Sequence, residues 1–166
     1  MTMIEAFKAE FEQEAPVTKK MLELIPDSEW NWKPHEKSMT IGKLGTHIAE
    51  IPHWAADIIN RSEFDMIPAE HKPTVCNNHA EAVAMFEKNM KSAIQAMGIQ
   101  SDAYMMEPWT FKNQGKPVFT MPRISTLRAM FLNHVIHHRG QLSVFLRLKN
   151  VPLPSVYGPT ADTGKM

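Results

Sequence analysis

The sequence predicts an all-α fold, a four-helix bundle with crossover connectivity, on three observations. Four runs of about 20 to 26 residues place apolar side chains at helical spacing. The connections between them are long and hold several prolines, which excludes a simple tight-looped hairpin bundle. No set of strands is strong enough to build a sheet of its own. At 166 residues the chain fits one domain, 1–166, long enough to bury a single core.

Thr2 and Glu5 have capping-box spacing at the head of the first run, about residues 3 to 25, whose apolar stripe is Ile4, Phe7, Phe11, Met21, Leu22 and Ile25. Pro16 predicts a kink or local break there, because proline removes an N–H from the helical ladder. Pro26-Asp27-Ser28 ends the helix. The following loop carries Trp30 and Trp32, which are expected to pack over the bundle rather than line a ligand pocket. Thr40 caps a second helix, about residues 41 to 60, on which Leu44, His47, Ile51, Trp54 and Ile58 share a side while His53 faces away. Pro52 should bend it one turn beyond His47. Residues 61 to 77 read as a crossover loop.

Asn78 and Glu81 repeat the capping spacing and open a third helix to about Met97, with Val83, Phe86, Met90, Ile94 and Met97 inward and Gly98 closing it. In the next connection, residues 99 to 123, the segments Trp109–Phe111 and Pro117–Thr120 are extended enough for a small hairpin about Asn113-Gln114-Gly115, marginal by itself. The fourth helix runs from Ile124 to Lys149, capped by Ser125 or its neighbours and stopped by Asn150 and Pro152. Val156 and Tyr157 suggest that part of the tail docks back on the bundle.

Lysine plus arginine equals aspartate plus glutamate at 18 each, so the formal charge is zero. A protein that binds through phosphate contacts is normally basic, and no Lys/Arg cluster compensates here, so nucleic acid is not an expected partner. No apolar run approaches the roughly 18 residues needed to span a bilayer. The amino terminus is amphipathic and carries Glu5, Lys8 and Glu10, unlike a signal peptide. A cytoplasmic protein without a membrane partner is therefore expected. Cys76 is the single cysteine, which excludes an internal disulfide and fits a reducing compartment. In its polar loop it reads as incidental rather than reactive.

The chemistry concentrates in Asn133-His134-Val135-Ile136-His137-His138-Arg139-Gly140-Gln141. On a helix, Leu127, Phe131, His134, His138, Leu142 and Phe145 fall within a stripe about 80° wide. Two imidazoles one turn apart on a face of Leu and Phe bring ring nitrogens that must find partners away from water. A shared metal ion would satisfy both, and so would two separate hydrogen bonds. No Glu follows the first histidine, so the metalloprotease helix motif is absent. His47 turns inward from the second helix, and bundle cores are where facing helices build metal sites. Three neutral imidazoles, His47, His134 and His138, would leave a divalent ion at least one open position, as in catalytic rather than closed structural sites. Zinc, nickel, copper and ferrous iron all suit imidazole ligands.

Residues around these three have two readings each. Glu50 could accept an imidazole N–H or stand as a surface carboxylate. Trp54 lies on the same side of the helix as His47. His137, at the edge of the stripe, could meet substrate or only solvent. Arg139 reads as an ion-pair partner or tail anchor, and Gly140 as an allowance for close helix approach. Gln141 could donate to bound water or fix a ligand ring. Tyr157 could cover the pocket or simply pack the tail. His71 and His79 lie on no apolar face and are expected to be solvated.

Three segments together carry a resemblance: Thr40-Ile41-Gly42-Lys43-Leu44-Gly45-Thr46-His47-Ile48, His134-Val135-Ile136-His137-His138-Arg139-Gly140-Gln141-Leu142, and the tail Val151-Pro152-Leu153-Pro154-Ser155-Val156-Tyr157-Gly158-Pro159-Thr160-Ala161-Asp162. In this order the chain resembles the DinB family, also called DinB/YfiT-like metalloenzymes, over essentially its whole length. The resemblance implies a four-helix bundle of unusual connectivity, often a homodimer, with one divalent metal ion, zinc or nickel, held by His47, His134 and His138. It also implies an enzyme: relatives include metal-dependent transferases and isomerases that use a low-molecular-weight bacterial thiol such as bacillithiol or mycothiol, together with an electrophilic substrate. Metal-dependent hydrolysis and a non-enzymatic, metal-stapled binding or stress-response module are the alternatives.

Overall fold

Capping chemistry sets where the helices begin. The structure, a computed structural model, describes residues 1–68 and 73–164; His71 lies outside them. Helix α1 spans Met3–Glu23, opened by a complete capping box between Thr2 and Glu5. It continues through Pro16 without a break. A single 3-10 turn, Asp27–Glu29, follows. Helix α2, Ile41–Glu50, starts where the Thr40 hydroxyl accepts the Lys43 N–H. The second rod does not run unbroken to residue 60: a 3-10 turn at Ile51–His53 carries Pro52 and passes into α3, Trp54–Asn60. Proline has no N–H to offer the carbonyl four residues earlier, so the ladder changes pitch there. Helix α4, His79–Met97, is capped by the Asn78 side chain and closed by Gly98 at φ +43°. A short helix α5, Asp102–Met105, follows.

The last rod has three parts: α6, Arg123–Leu127; a π turn, Arg128–Leu132; and α7, Asn133–Leu148. It begins earlier than the Ser125 cap would place it, with Pro122 preceding the first turn and no side-chain cap. Asn150, left-handed at φ +57°, helps to end it.

The all-α expectation needs correction. The fold is mostly helical but includes a three-stranded sheet in the order β1-β2-β3: Glu63–Met66, Pro108–Asn113 and Lys116–Pro122. The expected hairpin is present and longer than expected, with Gln114 and Gly115 both at positive φ, as a two-residue turn matched to strand twist requires. β1 lies parallel to β2, pairing Glu63 with Thr110 and Met66 with Asn113. This strand, inside the segment read as a crossover loop, turns the marginal hairpin into a three-stranded sheet. The bond from Gly115 N–H to Asp65 Oδ2, 2.8 Å, ties it to the turn.

Around the core, α4 packs on α1, α2 and α3, while the last rod packs on α1 through α7, on α2 through α7 and on α3 through α6. Two apolar clusters fill the interior. One gathers Phe7, Phe11, Ile58, Trp109 and Phe131, with Phe11 and Phe131 edge to face at 4.2 Å between centroids. The other gathers Leu22, Ile25, Trp30, Leu44, Phe86 and Leu142. Each fully buried side chain of this size contributes about 1.5–3 kcal/mol of transfer free energy. His47 sits between Leu44 of the second cluster and Ile51 of the first. His134 and His138 likewise sit between Phe131 and Leu142.

Candidate metal centre

Helix α2 is seated by its glycines. A Cβ at Gly42 would fall on the Trp30 indole, far inside van der Waals contact, and one at Gly45 would crowd Ile25 at 2.7 Å. The helix therefore lies close against Trp30, whose Nε1–H donates to the Cys76 carbonyl at 3.0 Å. In this position His47 faces α7.

Three imidazoles meet between the helices. Ring centroids are 5.0 Å apart for His47 and His134, 4.6 Å for His47 and His138, and 4.6 Å for His134 and His138, a nearly equilateral triangle. One ligating nitrogen from each can be chosen so that all lie within 4.8 Å of one another. His47 Nε2 and His134 Nε2 are 3.3 Å apart. Two nitrogens on a tetrahedral ion with metal–nitrogen bonds of about 2.0–2.1 Å stand about 3.3–3.4 Å apart. The spacing fits a shared ion.

Hydrogen bonds on the opposite ring atoms complete the fit. A carbonyl oxygen can only accept, so His134 Nδ1–H donates to the Met130 carbonyl at 3.3 Å, and His138 Nδ1–H donates to the Gln141 amide oxygen at 2.7 Å. Each bond fixes the tautomer that leaves Nε2 with a free lone pair. Burial lowers the pKa of all three imidazoles, with His138 brought down from its ordinary value to about 4; neighbouring imidazoles push His47 and His138 the same way, while the Met130 and Gln141 bonds oppose the shift at their partners. At neutral pH all three are uncharged and able to ligate.

The other residues singled out in the sequence divide. Gln141 holds the His138 ring, as one of its two readings had it. Among the described residues Glu50 makes no bond to an imidazole; it accepts the Thr74 hydroxyl and lines a cleft beside His47. Trp54 packs on the sheet, edge to face with Phe64 and Phe111. His137 is exposed and rests edge-on against His138 at 4.8 Å between centroids. Tyr157 does not cover the cluster: it accepts from Arg139, donates to Glu14, and anchors the tail while 72% exposed. Arg139 is its buried partner and pairs with Glu14 at 2.6 Å. Gly140 faces open space, so close helix approach does not explain it. His79 is not simply solvated, since its Nδ1 lies 2.9 Å from Asp27 Oδ1. Sequence reasoning missed the Met130 carbonyl, because backbone acceptors leave no mark in residue type, and missed the approach of the Pro73–Thr74 loop to His47. That loop forms one wall of the cleft, about 300 Å³, with Met39, Lys43 and Thr46. A second cleft of about 440 Å³ is lined by Gln141, and Met39 lines both.

Fold and site together define a class: a mostly helical protein with a small sheet, whose interior brings three histidines from two rods close enough to hold a metal ion. The chain belongs to the DinB family, whose model matches residues 2–164. It is 29% identical over 165 residues to the uncharacterized protein YrdA of Bacillus subtilis, covering 96% of this chain and 90% of that one. Its fold is similar to the crystal structure of a DinB-like protein, YjoA, from Bacillus subtilis, with a TM-score of 0.68 at 19% identity over 89% of this chain and 95% of that one. It is also similar to that of a DinB-like protein from Bacillus cereus, with a TM-score of 0.67 at 22% identity over 92% of this chain and 97% of that one. Among the described residues no helix is long and apolar enough to cross a membrane.

Proposed function

We propose that this protein is a metal-dependent enzyme in which His47, His134 and His138 hold one divalent ion, zinc or nickel, and a low-molecular-weight thiol is activated there for transfer to an electrophile. The observation that carries this reading is the 3.3 Å separation of two Nε2 atoms whose triangle is completed by His138. When bound, such an ion supplies Lewis-acid chemistry that lowers the pKa of a thiol or water in its open position. The protein's share is orientation. Met130 and Gln141 fix two rings, apolar clusters pack on either side of them, and the cleft beside His47 admits a small molecule. A thiol nucleophile prepared in this way needs no protein base.

Glu50 supports a second reading. Its carboxylate lines the same cleft as His47, which supports a role as general base for hydrolysis by water. The two readings separate in one screen. Metal-loaded protein given bacillithiol, mycothiol or glutathione with a model electrophile should form adduct, and chelation should stop it. Ester or amide cleavage without thiol, lost in Glu50→Gln, would replace the transferase reading with the hydrolase one. No turnover in either arm, with thermal stability lost on chelation, would leave a metal-stapled binding module.

A further inference from the structure

The cleft beside His47 does not stop at the rings. It shares Lys43, Thr46, Pro73 and Thr74 with a further cleft of about 400 Å³ that runs on to Trp30 and Cys76. Together they have the size that small-molecule sites occupy. Lys43 stands at the join, one turn before His47 on α2, about 6 Å along the helix axis. Among the described residues the lysines in ion pairs are Lys19, Lys112 and Lys149. Lys43 forms none with a described residue and is exposed to the cleft. The other charged residue lining it, Glu50, already accepts the Thr74 hydroxyl.

We propose that Lys43 is the specificity-determining residue of the site, and that the substrate entering along this cleft is a small molecule presenting a carboxylate to its ammonium group. The proposal rests on the reading of the three histidines as a metal site and names the substrate class for it. Among the described residues the cleft wall carries a single ammonium and no arginine, which matches a monoanion better than a phosphoryl group, since that recruits several donors or a planar fork. Glu50, one turn beyond His47, repels an anion from the opposite end. The carboxylate is therefore directed to Lys43, and the other end of a short molecule falls at the open side of the imidazole triangle.

Cobalt(II)-loaded protein tests this through the near-ultraviolet absorption of a thiolate on cobalt, a binding signal independent of turnover. The probes are 3-mercaptopropionate and its neutral analogue 3-mercaptopropionamide. The wild-type chain should bind the carboxylate about three- to five-fold more tightly than the amide, the scale of a partly solvated ion pair. Lys43→Gln should level the two while keeping one cobalt per chain, and Lys43→Arg should restore the preference. Equal affinities in the wild type, or an unchanged preference in Lys43→Gln, would overturn the proposal. Inorganic phosphate competing as well as propionate would overturn the carboxylate assignment. If the wild-type chain takes up no cobalt, the metal reading fails by itself. Lys43 is then tested on the metal-free chain with propionate, followed by the NMR shift of the lysine side chain. Binding lost in Lys43→Gln supports the anion site, and binding retained there overturns it.

Discussion

At His134 and His138 one ring nitrogen is spent so that the other is aimed. The Gln141 amide oxygen holds His138 Nδ1–H at 2.7 Å, the shorter of the two ring contacts, and Gln141 is exposed, so its loss should not disturb the core. Gln141→Ala should weaken metal affinity about 10- to 100-fold with little change in folding, as measured by competition with a chromogenic chelator. Acid should act on the same rings. All three have folded pKa values below their ordinary value of 6.5, so between that value and about 4 the unfolded chain binds more protons than the folded one. The stability they contribute is full above pH 6.5 and is lost as pH falls toward 4. Denaturation of metal-free protein at pH 7, 5.5 and 4.5 should show this decline, and His138→Ala should flatten it. Convergence of these histidines was legible in the sequence because helical spacing places Leu44, His47 and Ile51, and Phe131, His134, His138 and Leu142, on single faces. Which nitrogen each ring presents was not, because that depends on a backbone carbonyl and a side-chain rotamer.

The two helices that carry these residues hold glycines of opposite character. Gly42 is the contact that lets α2 lie on Trp30, and Gly42→Ala should cost about 1–3 kcal/mol by overpacking. Gly140 meets nothing within 4 Å of an added Cβ, so Gly140→Ala should stabilise by about 1 kcal/mol and leave metal content unchanged. Urea midpoints of the two variants should move in opposite directions. The rods were legible where side chains cap them, at Thr2, Thr40 and Asn78. β1 was not legible: four residues of mixed polarity carry no clear alternation, and their partner Thr110–Asn113 lies more than 40 positions away. Nor was the π turn at Arg128–Leu132, which widens the helix just before His134 and whose Met130 carbonyl takes that ring. Such turns are frequent at functional sites.

For the molecule as a whole, the tail is fastened to the bundle at two cations, Arg147, which pairs with Asp162, and the buried Arg139. The Arg139 side chain, 3% exposed, bonds Glu14, Thr18 and Tyr157, linking α7, α1 and the chain's end. Glu14→Ala would leave that charge without its carboxylate and should cost about 3 kcal/mol. Limited proteolysis should then cut first near Tyr157. The same arrangement explains why Arg139, next to His138 in sequence, is not at the cluster: with Tyr157 it faces α1, while His134 and His138 face α2. Two rods and a shared interior point define the site, with core packed above and below it.

Elemental analysis of the purified protein and its single alanine variants tests this most directly. One divalent ion per chain in the wild type and in His53→Ala, with the ion lost from His47→Ala, His134→Ala and His138→Ala, is the expected result. Stoichiometric metal retained in all three ligand variants would contradict the account.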